Sequence, residues 1–560
     1  MNRKTTLLIL ILMTTLLASA QQRLLKKEFL VTNQYLLFPI DNGASKSRMN
    51  LSVGNLNTYF DICLASDSGK VDFWVYLDVG RFMKEKLIIS TSLDNHLEKG
   101  FDLLLFDDKI KTLVPIYSEK LRPQLHFSCK RGWNSDPNGL VYYDGEYHMF
   151  YQHDPFGWKK SLASWGHAVS KDLIHWEELP VVLFPDSMGM IKSGSAVVDF
   201  NNTASFQNGK EKVIVAAYTA GPEYGKVSLI DSIEASRQCL AYSNDRGRTF
   251  TKYKGNPVLP LSKRKLWFNS RDPKIFWYEP DSNWVMVLFE GLGHSIYTSG
   301  NLKDWKYESH VKEFWECPEL FELPVDGNPE NKKWVMYSAS GNYKIGNFDG
   351  KQFIPETDKI RYSIYRDMYA GQTFNDEPNG RRIQVLWGKT IAEGMPFNQM
   401  ITFPTELSLK THREGVRMHA NPIKEISTLY KKSYKYGSFV FDKELLINDF
   451  QSKLLHIKLD IKTLSAIIFS VTVNGYKFTY DGNFSKLNDA FIPLIDAEKL
   501  KLEFIIDVNS IEVYINDGLY VMMIPYDSSD KQPEILFSPT IGKTTIVENL
   551  EVHELESIWK

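Results

Sequence analysis

Three short acidic motifs carry the chemistry that this sequence offers. They are Trp133-Asn134-Ser135-Asp136-Pro137-Asn138-Gly139, Ser270-Arg271-Asp272-Pro273-Lys274 and Trp315-Glu316-Cys317-Pro318. Each motif places a carboxylate beside aromatic residues, a proline or an arginine. Exposed acids rarely have such neighbours. Because burial and neighbouring charges change the protonation of carboxyl groups, the motifs predict a pocket whose acids hold different protonation states.

Each acid taken alone also has a structural explanation. Asp136 precedes Pro-Asn-Gly and could cap a turn, and Asp272 could form an ion pair with Arg271. Glu316 is harder to explain in this way, because a carboxylate among apolar neighbours is costly unless it is paired, protonated or used. The occurrence of all three motifs favours a catalytic site.

Length, charge and composition narrow the class of protein. A chain of 560 residues is too long for one core and predicts two or three domains. The net charge is −2 with both signs interspersed, which argues against nucleic acid or a membrane surface as partner. Aromatic residues make up 13% of the chain. That content fits a large β core, which explains most of these residues, and also stacking on sugar rings.

The N-terminus is predicted to be a secretory signal peptide covering residues 1–20. Arg3 and Lys4 precede an apolar run from residue 7 to 17, and Ala18-Ser19-Ala20 offers a small-residue cleavage site. The apolar run is short for a membrane span, and no later segment resembles one. The sequence therefore predicts export to the periplasm or the extracellular space, with no membrane span. It leaves the oligomeric state open.

The cysteines point to neither a metal site nor a disulfide framework. Cys63, Cys129, Cys239 and Cys317 are widely spaced along the chain. No His/Cys cluster accompanies them. We therefore expect chemistry that uses no metal and no cofactor.

Short alternating apolar runs separated by turn residues predict an all-β chain. A weak repeat supports a β-propeller of about five blades, because its spacing of roughly 50 to 75 residues suits a four-stranded blade. In a propeller, innermost strands from distant parts of the sequence meet at one axis, so the three acids can converge at one end. The repeat copies are polar turns that end in an aromatic residue: 170–176, 243–250, 300–305 and 346–353.

The flanking regions predict two further β domains. After about Lys432 the repeat stops, and residues 502–507, 511–515 and 519–523 read as strands, with Asn516-Asp517-Gly518 as a tight turn. This pattern predicts a C-terminal β-sandwich. The expected domains are an N-terminal β-rich module at 22–121, the propeller at 124–430 and the sandwich at 433–560.

From about Gln124 to Lys560 the chain resembles glycoside hydrolase family 32, the family of invertases, inulinases and levanases. The resemblance implies a five-bladed propeller followed by a β-sandwich, and the N-terminal module is similar to extra modules on some bacterial members. Beyond the three acidic motifs, the segments that carry the resemblance are Tyr151-Gln152, Trp165-Gly166-His167-Ala168, Ser193-Gly194-Ser195-Ala196, Tyr369-Ala370-Gly371-Gln372, Leu386-Trp387-Gly388, residues 403–409 and residues 510–518.

The resemblance implies retaining hydrolysis of β-fructofuranosidic bonds in fructans or sucrose. By that resemblance Asp136 is the nucleophile, Glu316 the general acid/base and Asp272 the transition-state stabiliser. A retaining glycosidase needs one ionised carboxylate to attack the anomeric carbon and one protonated carboxyl group to donate to the leaving oxygen. Glu316 lies among Trp315, Cys317 and Pro318, and these neighbours make it a better candidate for the acid than Asp136. Asp136 is expected to stay charged with help from backbone N–H groups of the following turn.

A wider set of side chains is expected to contact the substrate. Gln152 and Ser193 resemble fructose-hydroxyl contacts, and Trp158 and Trp387 resemble an aromatic wall, with Trp165 as a second candidate. The remaining predicted contacts lie within the matching motifs: Asn138, Arg271, Cys317 and Tyr369.

Two positions depart from the family pattern. Ser135 stands where Asn is usual, and Lys192 stands where Phe or Trp is usual. Neither removes a catalytic acid, and both leave the subsite preference open.

Two other functions stay open at this point. One is an inverting propeller glycosidase of the arabinosidase or xylosidase type, which would separate its carboxyl groups by about 6.5–9.5 Å instead of about 5 Å. The other is a non-catalytic fructan-binding protein, against which the presence of both Asp136 and Glu316 argues. The sequence does not distinguish levan, inulin and sucrose, or endo from exo action.

Overall fold

The computed structural model describes residues 24–92, 95–222, 236–259, 270–462, 468–493, 499–540 and 544–559. The predicted signal peptide lies outside the described residues. The chain divides into two compact units between Leu113 and Val114. Within the described ranges, no helix has the length and apolar character needed to cross a membrane.

The first unit holds two small antiparallel sheets, as expected for a β-rich N-terminal module. In the central strands apolar residues alternate with polar ones, so Met49, Leu51, Leu87 and Ile89 are all buried. The sheet orders are β1-β6-β3-β4 and β5-β2-β7. Its strands are β1 (Leu24–Leu30), β2 (Tyr35–Ile40), β3 (Ser47–Val53), β4 (Leu56–Ile62), β5 (Phe73–Asp78), β6 (Lys86–Ser92) and β7 (Leu105–Asp107), with helix α1 (Asn95–Phe101) and 3-10 turns at Ser68–Lys70 and Gly80–Phe82.

The second unit begins with three four-stranded antiparallel blades, each built from consecutive strands. The inner strands are mostly buried, because both faces of each blade pack against neighbouring blades, whereas the outermost strands are largely exposed or half-buried. The strands of the first blade are β8 (Gly132–Tyr143), β9 (Glu146–Asp154), β10 (Ser164–Ser170) and β11 (Trp176–Leu183); of the second, β12 (Met190–Asp199), β13 (Val213–Gly221), β14 (Arg237–Ser243) and β15 (Thr251–Lys252); of the third, β16 (Arg271–Tyr278), β17 (Asn283–Glu290), β18 (Gly293–Ser299) and β19 (Lys306–Lys312), with a 3-10 turn at Glu279–Asp281.

The fourth and fifth blades complete the predicted five-bladed propeller. A short strand after the fifth blade's second strand, β27, pairs in parallel with β8 of the first blade and so closes the ring. The strands of the fourth blade are β20 (Glu319–Val325), β21 (Asn328–Tyr337), β22 (Asn342–Phe348), β23 (Phe353–Pro355) and β24 (Ile360–Arg361), and those that follow are β25 (Met368–Thr373), β26 (Ile383–Gly388), β27 (Phe397–Asn398), β28 (Met400–Ile401), β29 (Thr405–His412) and β30 (Gly415–Pro422).

The four copies of the sequence repeat occupy one equivalent place in successive blades. They connect the third strand to the fourth in the first four blades. Asp172, Asn301 and Asp349 each accept two backbone N–H bonds within these turns. The repeat is therefore an Asx-type turn that side-chain chemistry specifies locally.

The C-terminal region forms the predicted sandwich. Its sheets have the orders β31-β43-β34-β39-β40-β41, with β32 beside β43, and β33-β42-β35-β36-β37-β38. The strands, which follow a 3-10 helix at Lys424–Leu429, are β31 (Tyr430–Lys435), β32 (Phe439–Phe441), β33 (Leu445–Ile447), β34 (Leu455–Lys462), β35 (Ile468–Val473), β36 (Tyr476–Asp481), β37 (Lys486–Leu487), β38 (Ala490–Phe491), β39 (Lys499–Ile506), β40 (Ser510–Ile515), β41 (Tyr520–Pro525), β42 (Ile535–Pro539) and β43 (Thr545–Leu555).

A buried charged cluster joins the propeller to the sandwich. The His126 imidazole lies 2.7 Å from Asp507 Oδ2 and 3.2 Å from Glu512 Oε1, and all three side chains are fully buried. Although burial opposes the charged imidazolium, the two carboxylates raise the pKa of His126 to about 9. Because a buried charge needs its partners, the cluster fixes how the sandwich sits on the propeller.

Candidate active site

Asp136, Ser193 and Asp272 lie at irregular points of the innermost strands. A β-bulge bends its strand and redirects side chains, and bulges often lie beside active sites. Here the bulges bring Asp136, Ser193 and Asp272 to the same end of the propeller axis. The strand register shifts between Asn134 and Pro137 in β8, between Ile191 and Gly194 in β12, between Arg271 and Lys274 in β16 and between Tyr369 and Gln372 in β25.

Several residues of the site adopt left-handed backbone conformations. The φ angles are 61° at Asp272, 51° at Glu316, 39° at Cys317 and 52° at Ala370. Non-glycine residues rarely occupy this region, because the Cβ atom crowds the backbone. Such conformations cost free energy and cluster at functional sites.

Asp136 is held by a chain of hydrogen bonds from neighbouring strands. The Ser193 hydroxyl donates to Asp136 Oδ2 at 2.6 Å, and Gln152 Nε2 donates to Ser193 Oγ at 2.7 Å. Asn138 Nδ2 donates to the Asp136 main-chain oxygen, while its own Oδ1 accepts from the Gly194 N–H. The Ser193, Gln152 and Asn138 side chains are all buried. Ser193 contacts the Asp136 carboxylate, Gln152 supports Ser193, and Asn138 links the first two blades.

The support for Asp136 differs from the sequence-based expectation. The hydrogen bond that the described residues give its carboxylate comes from a hydroxyl in the second blade, not from the turn that follows. Burial raises the pKa of Asp136 above its ordinary value, while the Lys160 charge and the Ser193 hydroxyl oppose that rise. The turn that was expected after Asp136 does not form, because the chain continues as strand β8 beyond the bulge.

The Glu316 carboxylate accepts hydrogen bonds from two side chains of different blades. Arg271 Nη2 donates to Glu316 Oε1 at 2.5 Å, and the Tyr369 hydroxyl donates to Glu316 Oε2. Trp315 lies 43% exposed. Its ring covers the Arg271 guanidinium at 5.8 Å, with Phe289 closer at 4.6 Å. The aromatic neighbours therefore hold the arginine, and the arginine positions Glu316.

Asp272 is the most enclosed of the three acids. It is 5% exposed, and its Oδ2 accepts from the Cys317 N–H at 3.2 Å and lies 3.7 Å from Arg271 Nε. Burial raises its pKa to about 7, and the charges of Glu316 and Asp136 add to the rise although Arg271 opposes it. The pKa of Asp272 therefore depends on the charges of both other acids.

The pKa of Asp272 predicts a stability cost at neutral pH. The pKa of Asp272 in the folded protein, about 7, exceeds the ordinary value of 3.8. The contribution of protonated Asp272 to the free energy of unfolding is therefore fully present below pH 4 and is lost as pH rises through 7. We expect Asp272→Asn to raise the free energy of unfolding at pH 8 by roughly 2–4 kcal/mol and to leave it unchanged near pH 4. Denaturant unfolding at both values measures this difference. Asp304→Asn, an exposed acid, is the control, and a less stable Asp272→Asn at pH 8 contradicts the expectation.

Comparison with known proteins identifies the family. Residues 126–422 match the model described as "Glycosyl hydrolases family 32 N-terminal domain". Residues 458–554 match "Glycosyl hydrolases family 32 C terminal". The chain belongs to glycosyl hydrolase family 32.

Individual family 32 members are similar over most of this chain. A levanase of Bacillus subtilis (strain 168) is 40% identical over 506 residues, which cover 79% of this chain and 72% of that protein. An extracellular exo-inulinase of Aspergillus niger is 30% identical over 521 residues, covering 79% and 96%. The crystal structure of exo-inulinase from Aspergillus awamori superposes with a TM-score of 0.70 at 27% identity, covering 79% of this chain and 100% of that one.

Among the aromatic residues expected to contact substrate in this family 32 chain, Trp165 is a wrong prediction. It is fully buried, its indole N–H donates to the Lys192 carbonyl at 3.0 Å, and its ring packs on Phe150 and Tyr218. A ring enclosed in this way has no free face for a sugar. The β-strand pattern could not separate this core ring from a pocket wall.

Trp158 and Trp387 are partly buried and keep accessible surface. The Trp387 ring meets Tyr369 and Trp133 edge to face, at 6.4 and 5.7 Å between ring centroids. The Trp158 indole donates to the Ala392 carbonyl. Trp387 thus lies beside the tyrosine whose hydroxyl donates to Glu316.

The two departures from the family pattern both lie next to the acids. Ser135 is fully buried, and its hydroxyl has no hydrogen-bond partner among the described residues. Lys192 Nζ donates to Ser236 Oγ at 2.9 Å, and burial together with the Arg271 charge lowers the pKa of Lys192 to about 8. The lysine therefore brings a second cation beside Arg271.

Two lysines near the acids lie outside the set of residues predicted from the sequence. Lys389 Nζ lies 4.4 Å from the Tyr369 ring and 4.8 Å from the Trp387 ring, and Lys160 Nζ lies 5.4 Å from the Trp133 ring. Both contacts are cation–π interactions. Lys389 directly follows the Leu386-Trp387-Gly388 signature, and that adjacency was the available signal. The described residues contain no group of three or more His, Cys, Asp or Glu side chains suited to a metal ion.

Proposed function

We propose that this chain is an exported β-fructofuranosidase that hydrolyses fructans and sucrose with retention of configuration. The observation that carries the proposal is the pair of differently supported acids, Asp136 on the Ser193 hydroxyl and Glu316 between Arg271 and Tyr369. Membership of family 32 and the similarity to a levanase and an exo-inulinase support the substrate class.

In the proposed first step, an Asp136 oxygen attacks the anomeric carbon of the fructosyl unit. The bond from that carbon to the leaving oxygen breaks, and Glu316 gives its proton to this oxygen. Water then attacks the same carbon, Glu316 takes a proton from the water, and the ester bond to Asp136 breaks. The atoms balance with no metal or cofactor.

The surroundings of each acid suit these proposed roles. Asp136 receives a hydroxyl hydrogen bond, which favours its ionised form. Glu316 is held by a tyrosine hydroxyl and a guanidinium that fix its direction for proton transfer. Asp272 lies beside Arg271 and accepts the Cys317 N–H, and we assign it hydrogen bonds to fructose hydroxyls that strengthen as the ring flattens toward an oxocarbenium ion.

Ser193→Ala tests the support for Asp136. The Ser193 hydrogen bond lowers the pKa of Asp136, so its loss is expected to move the acidic limb of the kcat/KM profile to higher pH. We also expect kcat to fall by about tenfold. Measuring rates from pH 3 to pH 9 checks both effects. Ser195→Ala, in the same strand, is the control, and an unmoved acidic limb in Ser193→Ala contradicts the assignment.

Product analysis on sucrose, inulin and levan tests the function itself. Because the Bacillus subtilis relative is named a levanase, levan is the first polymer to test. Free fructose as the sole product indicates exo action, and oligosaccharides indicate endo action. NMR of the first-formed product separates retention from the inverting alternative. No fructose release from any of the three substrates would overturn the proposal.

The domain limits and the export remain part of the proposal. We propose a β-rich module at 22–121, a catalytic propeller at 124–430 and a sandwich at 433–560. Cleavage after residue 20 is proposed from the sequence of the N-terminus. Mass spectrometry of the secreted protein would detect a mature chain that begins at Gln21.

A further inference from the structure

A second cavity, of about 700 Å³, opens at the other end of the propeller axis. It is lined by the C-terminal halves of β12 and β16 and by Leu320, Phe321 and Glu322 of β20. Ser193 and Asp272 lie in the N-terminal halves of β12 and β16, and Glu316 precedes β20. Along β16, Trp277 in the cavity is five residues from Asp272, a distance of roughly 16 Å in a strand. We call it the rear cavity.

Buried polar side chains close the axis between the rear cavity and the acids. Lys274 Nζ lies 2.9 Å from Glu319 Oε1 and donates to the Thr373 carbonyl, while the Thr373 hydroxyl donates to Glu319 Oε2 at 2.6 Å. Asn375 donates to main-chain carbonyls of β12 and β16. The rear cavity is therefore separate from the proposed active site.

Aromatic rings form two walls of the rear cavity. On one side Trp334 packs against Tyr278 at 6.0 Å and Phe348 at 4.9 Å between ring centroids. On the other side Trp277 meets Trp284 edge to face at 5.0 Å. Trp277, Tyr278 and Trp334 keep part of their surface accessible. Rings of this kind provide apolar faces for stacking and polar edges for hydrogen bonds.

The polar groups of the rear cavity suit hydroxyl groups. Asp376 and Glu322 offer acceptors, and Arg382 offers donors. Arg382 Nη1 donates to the Phe374 carbonyl at 3.2 Å, and the buried Arg382 Nε has no hydrogen-bond partner among the described residues. Lys332 pairs with Glu322 at 3.3 Å, and the Arg382 and Lys274 charges act on Asp376, so charges of both signs line or adjoin the cavity and favour a neutral ligand.

We propose that the rear cavity binds a short neutral oligosaccharide. Its volume lies within the range of small-molecule sites, and it combines stacking faces with both donors and acceptors, as a sugar with several hydroxyl groups requires. The inference goes beyond the proposed function, because it depends on the chemistry of this cavity and not on hydrolysis at the three acids.

The test uses the full chain carrying Glu316→Gln, which slows hydrolysis of the ligand. Calorimetric titration with a fructotriose and with maltotriose counts the sites, and a crystal soaked in each sugar locates them. We expect two sites per chain for at least one sugar. Asp376→Ala and Trp277→Ala are expected to weaken the rear site by about tenfold or more and to leave the other unchanged.

Asp304→Ala, which alters an exposed acid in the same blade as Trp277, is the matched control. If Trp277→Ala does not fold, Asn201→Trp, which introduces bulk at an exposed lining position, replaces it. A single site that is insensitive to these changes, or a soaked crystal with no sugar in the rear cavity, overturns the inference and leaves the proposed function intact. Sugar in the rear cavity of a chain that hydrolyses no fructan supports the inference while the proposed function fails.

Discussion

Asp136→Asn is expected to lower kcat on sucrose and levan by on the order of 10⁴-fold or more. The amide keeps the shape of the side chain and can still accept the Ser193 hydrogen bond, but it cannot form the covalent bond to the anomeric carbon. KM should change little, because the groups that bind the hydroxyls remain. Initial-rate kinetics over a range of substrate concentrations measures both quantities.

The control for this variant lies in the same blade. Asp172→Asn alters an exposed acid in the turn between β10 and β11 and should keep full activity. Thermal unfolding of both variants shows whether the fold is retained. An Asp136→Asn protein that keeps even one tenth of the wild-type kcat is incompatible with a nucleophilic role for Asp136.

Glu316→Gln is expected to lower kcat/KM on sucrose by about 10²- to 10⁴-fold. Glutamine cannot donate a proton to the leaving oxygen, and a sugar alcohol leaves poorly without one. An aryl β-fructofuranoside with an acidic phenol needs no such proton, so its kcat/KM should stay close to the wild-type value. Comparing the two substrates separates loss of the acid from loss of binding.

Tyr369→Phe is the companion variant for Glu316. It removes the hydrogen bond to Glu316 Oε2 while the carboxyl group stays, so a smaller loss on sucrose is expected, again with little effect on the aryl substrate. An equal loss on both substrates in Glu316→Gln would show that the residue binds substrate and does not act as the acid.

Much of the fold could be predicted because the relevant signals are local. Asn516-Asp517-Gly518 predicts a tight turn, and the structure has β40 and β41 paired around it with positive φ angles at all three residues. The polar turns that end in aromatic residues predicted repeated blades because Asp and Asn bind the backbone a few residues ahead. Alternation of apolar residues separated strands from loops in both regions.

Pairings between distant residues could not be predicted in the same way. Ser193 reaches Asp136 from 57 positions away, and Tyr369 reaches Glu316 from 53. Hydrophobic periodicity shows that a residue faces inward, but not which strand it will meet. For this reason Trp165 resembled a pocket wall in the sequence and is a core ring in the structure.

The sequence by itself determined that the chain is all-β, that its repeat builds a propeller and that Asp136, Asp272 and Glu316 form a set. Composition, turn chemistry and motif order are enough for those conclusions, since they depend on neighbours along the chain. Only the tertiary structure decided that a second-blade hydroxyl supports Asp136, that Arg271 and Tyr369 hold Glu316 and that the axis ends in a second cavity. These arrangements depend on how bulged strands from five blades meet, and that is settled by packing between residues far apart in sequence.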